Sequence, residues 1–369
     1  MKLIVNVGST SVKTQLFDDK LCVKAILNAD YGAKDGLSIS GENVQGEKFS
    51  HHDKTIHDAK NTLAFLYQHW QKWLIENKFS LLAIGHRVVH GGANFKKITL
   101  ITPDVLTQIA QLDNYAPLHN PLNRLGIEMA AELFVNVEQF AIFDTAFHRQ
   151  IPDYAARYAI PENLSSHVDF YRYGFHGISC QHSVNAVAKL LNKSAENLNL
   201  IILHLGGGAS ATAVRKGVSI DTSMGFSPTE GLVMASRSGD IDPMISLTLQ
   251  REGKTLEEIN QFLNKESGLK GVCGETDMRT ILQKADQGDE RCCLALNLFC
   301  YRIKKYIGAY FVVLNGRVDA LVFTGGIGEN APIIRAQIVD GLGGLNLSKV
   351  LVIHAEEERE IAQQIQEIR

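Results

Sequence analysis

The sequence predicts an α/β protein of two domains, and three observations carry that reading. The chain has 369 residues, more than a single hydrophobic core usually organises. Short apolar strands alternate with helical patterns along it. A strand–turn–strand hairpin that opens the chain recurs past its midpoint, as expected if each half begins with a copy of one unit.

The first hairpin runs from Leu3 to Val7, turns at Gly8-Ser9-Thr10-Ser11, and returns as an alternating strand from Val12 to Phe17. The second runs from Leu200 to Leu205, turns at Gly206-Gly207-Gly208, and returns from Ala209 to Val214. Superposed, Asn6 falls on His204 and Gly8 on Gly206. A further apolar strand, Asp319 to Phe323, ends in the glycine turn Thr324 to Asn330. A helix should follow, with Pro332 in its first turn, where a missing N–H costs nothing. Ahead of that strand, Leu296, Phe299, Ile303, Ile307 and Tyr310 recur at three- and four-residue steps, behind a cap at Asp289. These are core positions of a long helix.

Composition narrows the function classes. Hydrophobic residues at 45% and charged residues at 21% are ordinary for a globular chain. A formal net charge of -3 gives no reason to expect nucleic acid or an anionic membrane as partner. Arg302, Lys304 and Lys305 read as a solvated helix face. Asn6 breaks the first apolar run too early for a signal peptide, and no run approaches the length of a bilayer span. Cys22, Cys180, Cys273, Cys292, Cys293 and Cys300 show no paired Cys-x-x-Cys spacing. Reduced thiols in a cytoplasmic protein are expected, and no zinc site.

Three glycine turns follow buried strands: around Gly8, around Gly206 to Gly208, and around Gly325 to Gly328. Such turns let backbone N–H groups approach an anion without Cβ in the way. One alone would be an ordinary tight turn, whereas three in one chain favour a nucleotide. Two also satisfy the loose dinucleotide pattern G-x-G-x-x-A, at Gly206 and at Gly326. The first precedes a hairpin and fails, because that pattern needs a helix after the glycines. The second keeps a nicotinamide-dependent oxidoreductase open. No Walker-type loop occurs, and no G-x-S-x-G supports a serine hydrolase.

Polar residues stand where cores do not want them. Arg87 ends an apolar stretch beside paired glycines, and Asp144 follows the strand Phe140 to Phe143. His176 is bracketed by glycines, and Arg237 lies near Asp240. Singly, these read as surface ion pairs or a satisfied core histidine. Together they suit phosphoryl transfer, whose charge-rich transition state needs positioned cations, a metal and hydrogen-bond donors. Arginine serves because its planar fork binds phosphate or carboxylate through paired bonds.

Ordered motifs then carry a resemblance. Asn6 to Lys13, Gly85 to Gly92 (GHRVVHGG), Ala116 to Asn120 (APLHN), Phe143 to His148 (FDTAFH) and Tyr173 to Gly177 (YGFHG) resemble the acetate kinase family in the same order. So do Asp221 to Gly225 (DTSMG), Ser236 to Pro243 (SRSGDIDP) and Thr324 to Asn330 (TGGIGEN). The likeness spans nearly the whole chain.

The resemblance implies two domains of a duplicated ribonuclease-H-like (actin-like ATPase) fold, each a mixed sheet flanked by helices. It places one domain at 1–148 plus 355–369, on the acid and metal side, and the nucleotide domain at 149–354. ATP or ADP and Mg²⁺ (or Mn²⁺) would bind between them, in a homodimer. Arg87 and Arg237 match the arginines that hold the substrate carboxylate and the moving phosphoryl group. His176 matches a histidine bonded to that group, and Asp144 an acid tied to catalysis and metal. Asn6 corresponds to a metal-side polar group, with Glu357, or its neighbour Glu358, as the matching glutamate. Lys13, His204, Gly206, Gly207 and Gly208 would serve the phosphates. Asp277, Met278, Arg279, Gly325, Ile327, Gly328 and Asn330 would serve the rest of the nucleotide.

The acid's methyl group would meet Val89, Leu118, Phe175 and Pro228. Propionate-preferring relatives tend to have a smaller residue at the position of Val89, so valine favours acetate. One methylene grades affinity by only about 1–3 kcal/mol. The family's usual asparagine is Gly207 here, Cys180 replaces a histidine, Ala93 a glutamate, and Thr229 a leucine. Ala235-Ser236 stands where glycine-threonine is common. The expected activity is therefore an acetate kinase, with a propionate kinase or a catalytically weak nucleotide-binding homologue as alternatives. Arg87→Ala and Arg237→Ala are each expected to reduce turnover strongly without unfolding the protein.

Overall fold

A computed structural model of the chain describes residues 1–32, 36–165, 168–345 and 347–369. These form two compact units, Met1–Ala146 with Glu356–Arg369, and Phe147–Ala355.

The first unit is built on one mixed sheet. Its strands are β1 (Lys2–Val7), β2 (Ser11–Phe17), β3 (Val23–Asp30), β4 (Leu37–Asn43), β5 (Lys48–Asp53), β6 (Ala83–Val88), β7 (Thr99–Leu100) and β8 (Glu138–Phe143). They lie in the order β5-β4-β3-β2-β1-β6-β8-β7. β1 to β5 form an antiparallel meander, while β6 runs parallel to β1 and β8 parallel to β6. Parallel neighbours need long crossovers, supplied by α1 (Ala59–Glu76), α2 (Pro103–Gln111) and α3 (Asn120–Leu133). Leu3, Val5 and Val7 of β1 pack with Leu63, Leu66, Tyr67 and Trp70 of α1. The buried indole N–H of Trp70 is satisfied by Thr14 Oγ1 at 2.9 Å.

The second unit repeats the plan. Its strands are β9 (Leu200–Leu205), β10 (Ala209–Arg215), β11 (Val218–Thr222), β12 (Ala320–Thr324) and β13 (Val350–Val352), in the order β11-β10-β9-β12-β13. Here too a meander is continued by strands parallel to its first member. The order matches β3-β2-β1-β6-β8 strand for strand, so the repeated hairpin belongs to a repeated sheet. Asn6 and His204 both occupy the fifth position of their strands, opposite Lys13 and Ser210.

Helices of this unit are α4 (Asp153–Ala156), α5 (Gly177–Leu191), α6 (Pro243–Arg251), α7 (Leu256–Lys265), α8 (Gly268–Cys273), α9 (Met278–Asp286), α10 (Glu290–Val313), α11 (Gly325–Asn330) and α12 (Pro332–Val339). Asp289 caps α10 through Cys292 N, and Leu296, Phe299, Ile303, Ile307 and Tyr310 are its buried face. Pro332 opens α12. The segment after β12 departs from expectation. It is no open glycine turn: Gly325 takes φ +78°, with Leu205 O 2.8 Å from where a Cβ would stand, and the chain winds at once into α11. Only glycine adopts that backbone without strain.

The last helix, α13 (Glu357–Glu367), returns to the first unit. It lies against β6 because Gly85 is bare. A Cβ there would stand 2.6 Å from Ile361 Cγ2 and 2.7 Å from Ile365 Cδ1. That docking brings the start of α13 to the strand ends that carry Asn6 and Arg87. Among the described residues, no helix is long and apolar enough to cross a membrane.

Two buried histidines make stability depend on pH. His86 bonds Gln139 Oε1 at 2.7 Å, and His148 bonds Phe175 O and Ser219 Oγ at 2.9 Å each. Burial holds both imidazoles neutral, with pKa lowered to about 4. Unfolded, they would protonate near pH 6.5. The unfolded state therefore binds more protons between these values, and stability falls as pH drops from about 6.5 towards 4. His148→Gln should show a flatter decline of Tm over that interval, measured by thermal melts across pH. An unchanged slope would contradict the assignment.

Candidate active site

In the first unit, four elements bring charged groups to one place. Arg87 projects from β6, and Asp144, only 2% exposed, directly follows the neighbouring β8. The guanidinium grips it with two bonds, Nε to Oδ1 at 3.0 Å and Nη2 to Oδ2 at 2.7 Å. This paired geometry is the strong form of the interaction. Arg87 Nη1 reaches Asn6 Oδ1 at 3.3 Å and Glu357 Oε2 at 3.5 Å. Asn6 Nδ2 in turn donates to Glu358 Oε1 at 3.3 Å. Burial works against the Arg87 charge, but Asp144, Glu357 and then Glu358 outweigh it and raise the pKa above its ordinary value. Both glutamates thus join the cluster, one through Arg87 and the other through Asn6.

Strand pairing sets Lys13 opposite Asn6, with its side chain exposed. The segment after β6 is pinned by two buried asparagines of α3. Val89 N donates to Asn123 Oδ1 and His90 N to Asn120 Oδ1, each at 3.0 Å. Val89 is half-buried, and Leu118 is 49% exposed.

In the second unit, His176 caps α5 with a left-handed backbone, φ 58° and ψ 23°. A non-glycine residue there is uncommon, and such strain concentrates at functional sites. The preceding Phe175 is 2% exposed, and its carbonyl is held by His148. His176 Nδ1 bonds Ser210 Oγ at 3.0 Å, and its ring stacks on His204 with centroids 4.1 Å apart. His204 Nδ1 bonds Ser179 Oγ at 2.8 Å. A Cβ at Gly208 would stand 3.3 Å from His176 Nε2 and 3.6 Å from Arg237 Nη1. The bare Cα therefore opens one point of backbone to both groups.

Arg237 differs from Arg87 in its partners. Its Nη1 donates to Pro228 O at 3.3 Å and approaches Met234 Sδ at 3.8 Å. Among the described residues no carboxylate pairs with it. Burial alone acts on its charge and lowers the pKa. A half-buried cation lacking an acid is a position for an incoming anion.

Gly206 N closes its turn on Gly208 O at 2.9 Å, and Gly207 O accepts from Ala235 N at 3.1 Å. Among the described residues, no atom beyond its chain neighbours lies within 4 Å of where a Cβ at Gly207 would stand, so the backbone there is open. A Cβ at Gly206 would stand 4.0 Å from Gly326 N, so the second and third glycine turns adjoin. Gly325 and Gly328 pack on Leu205, Ile327 is half-buried, and Asn330 Nδ2 bonds Gly326 O. Asp277 caps α9 and pairs with Arg279, which holds its carboxyl down to about 2. Arg279 is 91% exposed, whereas Met278 is 5% exposed. Cys180 is buried in the core beneath β9 and β12. The dinucleotide pattern fails at Gly326 and Gly328 as well. They lie inside α11, while the fingerprint needs its glycines in the turn before a helix.

A model of the Acetokinase family matches residues 1–364. A protein named acetate kinase from Sulfurovum sp. strain NBC37-1 is 49% identical over 341 residues, 92% of this chain and 85% of the relative. A propionate kinase structure from Francisella tularensis superposes with TM-score 0.91 at 38% identity, covering 98% of both chains. An acetate kinase structure from Porphyromonas gingivalis gives TM-score 0.89 at 32% identity, covering 100% of this chain and 99% of that one.

Proposed function

This chain belongs to the acetokinase family, and from that premise we propose that it transfers the γ-phosphoryl group of ATP reversibly to acetate, giving acetyl phosphate and ADP. The observation that carries this reading is the guanidinium of Arg237, which meets no carboxylate among the described residues, beside His176 at the bare Gly208 backbone. A carboxylate is ionised at neutral pH and needs no base to become a nucleophile. The obstacle is bringing one anion onto another, so the residues required are cations and donors.

Each role follows from the chemistry available to the side chain. Arg87, rigidly set by Asp144, presents a fixed cation for the acid's carboxylate. Arg237 and His176 meet the phosphoryl group, with His176 oriented by Ser210. His204 and the Gly206 to Gly208 turn hold the nucleotide phosphates. Asn6, Glu357 and Glu358 would offer oxygen donors to Mg²⁺ (or Mn²⁺), an ion that takes one or two carboxylates and keeps phosphate and water ligands. Such an ion, when bound, would neutralise phosphate charge. On this proposal the first unit serves acid and metal and the second serves ATP. A cytoplasmic homodimer completes the proposal, and sedimentation equilibrium checks the dimer.

The acid profile from acetate through butyrate, with acyl phosphate trapped by hydroxylamine, tests the substrate. Acetate should give the highest kcat/KM. Val89→Ala should shift the propionate-to-acetate ratio of kcat/KM upward by about 10-fold or more. An unchanged ratio would remove Val89 from the pocket.

A further inference from the structure

The segment from Gly225 to Gly231 is held by polar residues along its length. At one end, Gly225 O accepts from Tyr173 N at 3.2 Å and Gly174 N at 3.3 Å, just ahead of His176. In the middle, the Tyr158 hydroxyl accepts from Phe226 N at 2.8 Å and donates to the Glu230 carboxylate. The other Glu230 oxygen accepts from Arg172 Nη2 at 2.6 Å. Arg172 Nη1 meanwhile donates to Thr222 O at 3.1 Å and Ser223 O at 3.3 Å, where β11 ends. Gly225 is what allows these groups to meet. A Cβ there would stand 1.6 Å from Glu230 Oε2 and 2.1 Å from Tyr158 Oη.

The far end of the segment carries Arg237. Pro228 O accepts from Arg237 Nη1 at 3.3 Å. Thr229 Oγ1 donates to Asn264 Oδ1 at 2.6 Å, and Ser236 Oγ donates to Asn264 O at 3.0 Å. Asn264 therefore ties Thr229, next to Pro228, to Ser236, next to Arg237. With no carboxylate on it among the described residues, the Arg237 guanidinium has the Pro228 carbonyl as its backbone acceptor.

We infer that Glu230 is a positioning residue for phosphoryl transfer. With Tyr158 and Arg172 it braces the Gly225–Gly231 segment, and through the Pro228 carbonyl it fixes the Arg237 guanidinium relative to His176. The inference rests on the proposed role of Arg237. A displacement of about 1 Å at such a group can cost about 10²-fold in rate.

A double-mutant cycle in kcat, with thermal melts of each variant, separates this from a merely structural brace. Glu230→Ala should lower kcat by about 10- to 100-fold in the otherwise intact protein. In the Arg237→Ala background the same change should lower it by less than about threefold, because coupled residues are not additive. Tyr158→Phe, which keeps the Arg172–Glu230 pair, should give a smaller loss with the same non-additivity. If Glu230→Ala does not fold, Tyr158→Phe and Thr229→Val complete the cycle. Equal losses in both backgrounds would overturn the inference and leave the role of Arg237 standing. An Arg237→Ala protein at the wild-type rate would instead overturn that role, and the inference with it.

Discussion

Arg237→Ala is expected to lose about 10²–10³-fold in kcat while melting within a degree or two of the parent protein. The rate loss is the usual size for deleting one donor aimed at transition-state charge. The unchanged melting follows from the partners. Removing the side chain ends a bond to Pro228 O and a weak contact with Met234 Sδ, breaks no ion pair among the described residues, and relieves the burial of a cation. Stopped assays with MgATP and acetate, alongside calorimetry, measure both quantities. Near-normal turnover in the folded variant would end the proposed role.

Arg87→Ala should lose turnover to a similar extent but also stability. Asp144 is 2% exposed, and both its oxygens accept from this one guanidinium. Deleting one member of a buried pair typically costs about 3–5 kcal/mol, because the other charge stays behind. The variant should therefore melt well below the parent, and Arg87→Ala with Asp144→Ala should recover part of that loss without recovering turnover. Sequence reasoning expects each arginine variant to lose turnover without unfolding. The geometry separates them, since one arginine is paired and the other is not. A fully stable Arg87→Ala protein would contradict the buried-pair account.

What could be read in the sequence was local. The two hairpins, the cap at Asp289, the α10 core face and Pro332 at the start of α12 are set by residues within a few positions of one another. Periodicity and capping chemistry report such features directly. The extent of the repeat was not legible, because strand order beyond the hairpins depends on parallel pairings across long crossovers. Nor was the winding of Gly325 to Asn330 into a helix, which begins where Gly325 passes too close to the Leu205 backbone for a side chain.

The same holds at the site. Arg87, Asp144, His176 and Arg237 stood out because polar groups interrupt apolar or glycine-rich stretches. Their supports did not. Tyr158 and Glu230 are 72 positions apart, and Ser210 and His176 are 34 apart. Each support is an ordinary surface-type residue until the fold joins it to its partner. Spacing likewise does not choose between Glu357 and Glu358; in the fold the first reaches Arg87 and the second accepts from Asn6.

The most direct test of the central claim is ³¹P NMR of the protein with MgATP and acetate. Acetyl phosphate and ADP should appear in equal amounts, and added ADP should drive the signal back to ATP. ADP accompanied only by inorganic phosphate, or no turnover with any two- to four-carbon acid, would contradict it.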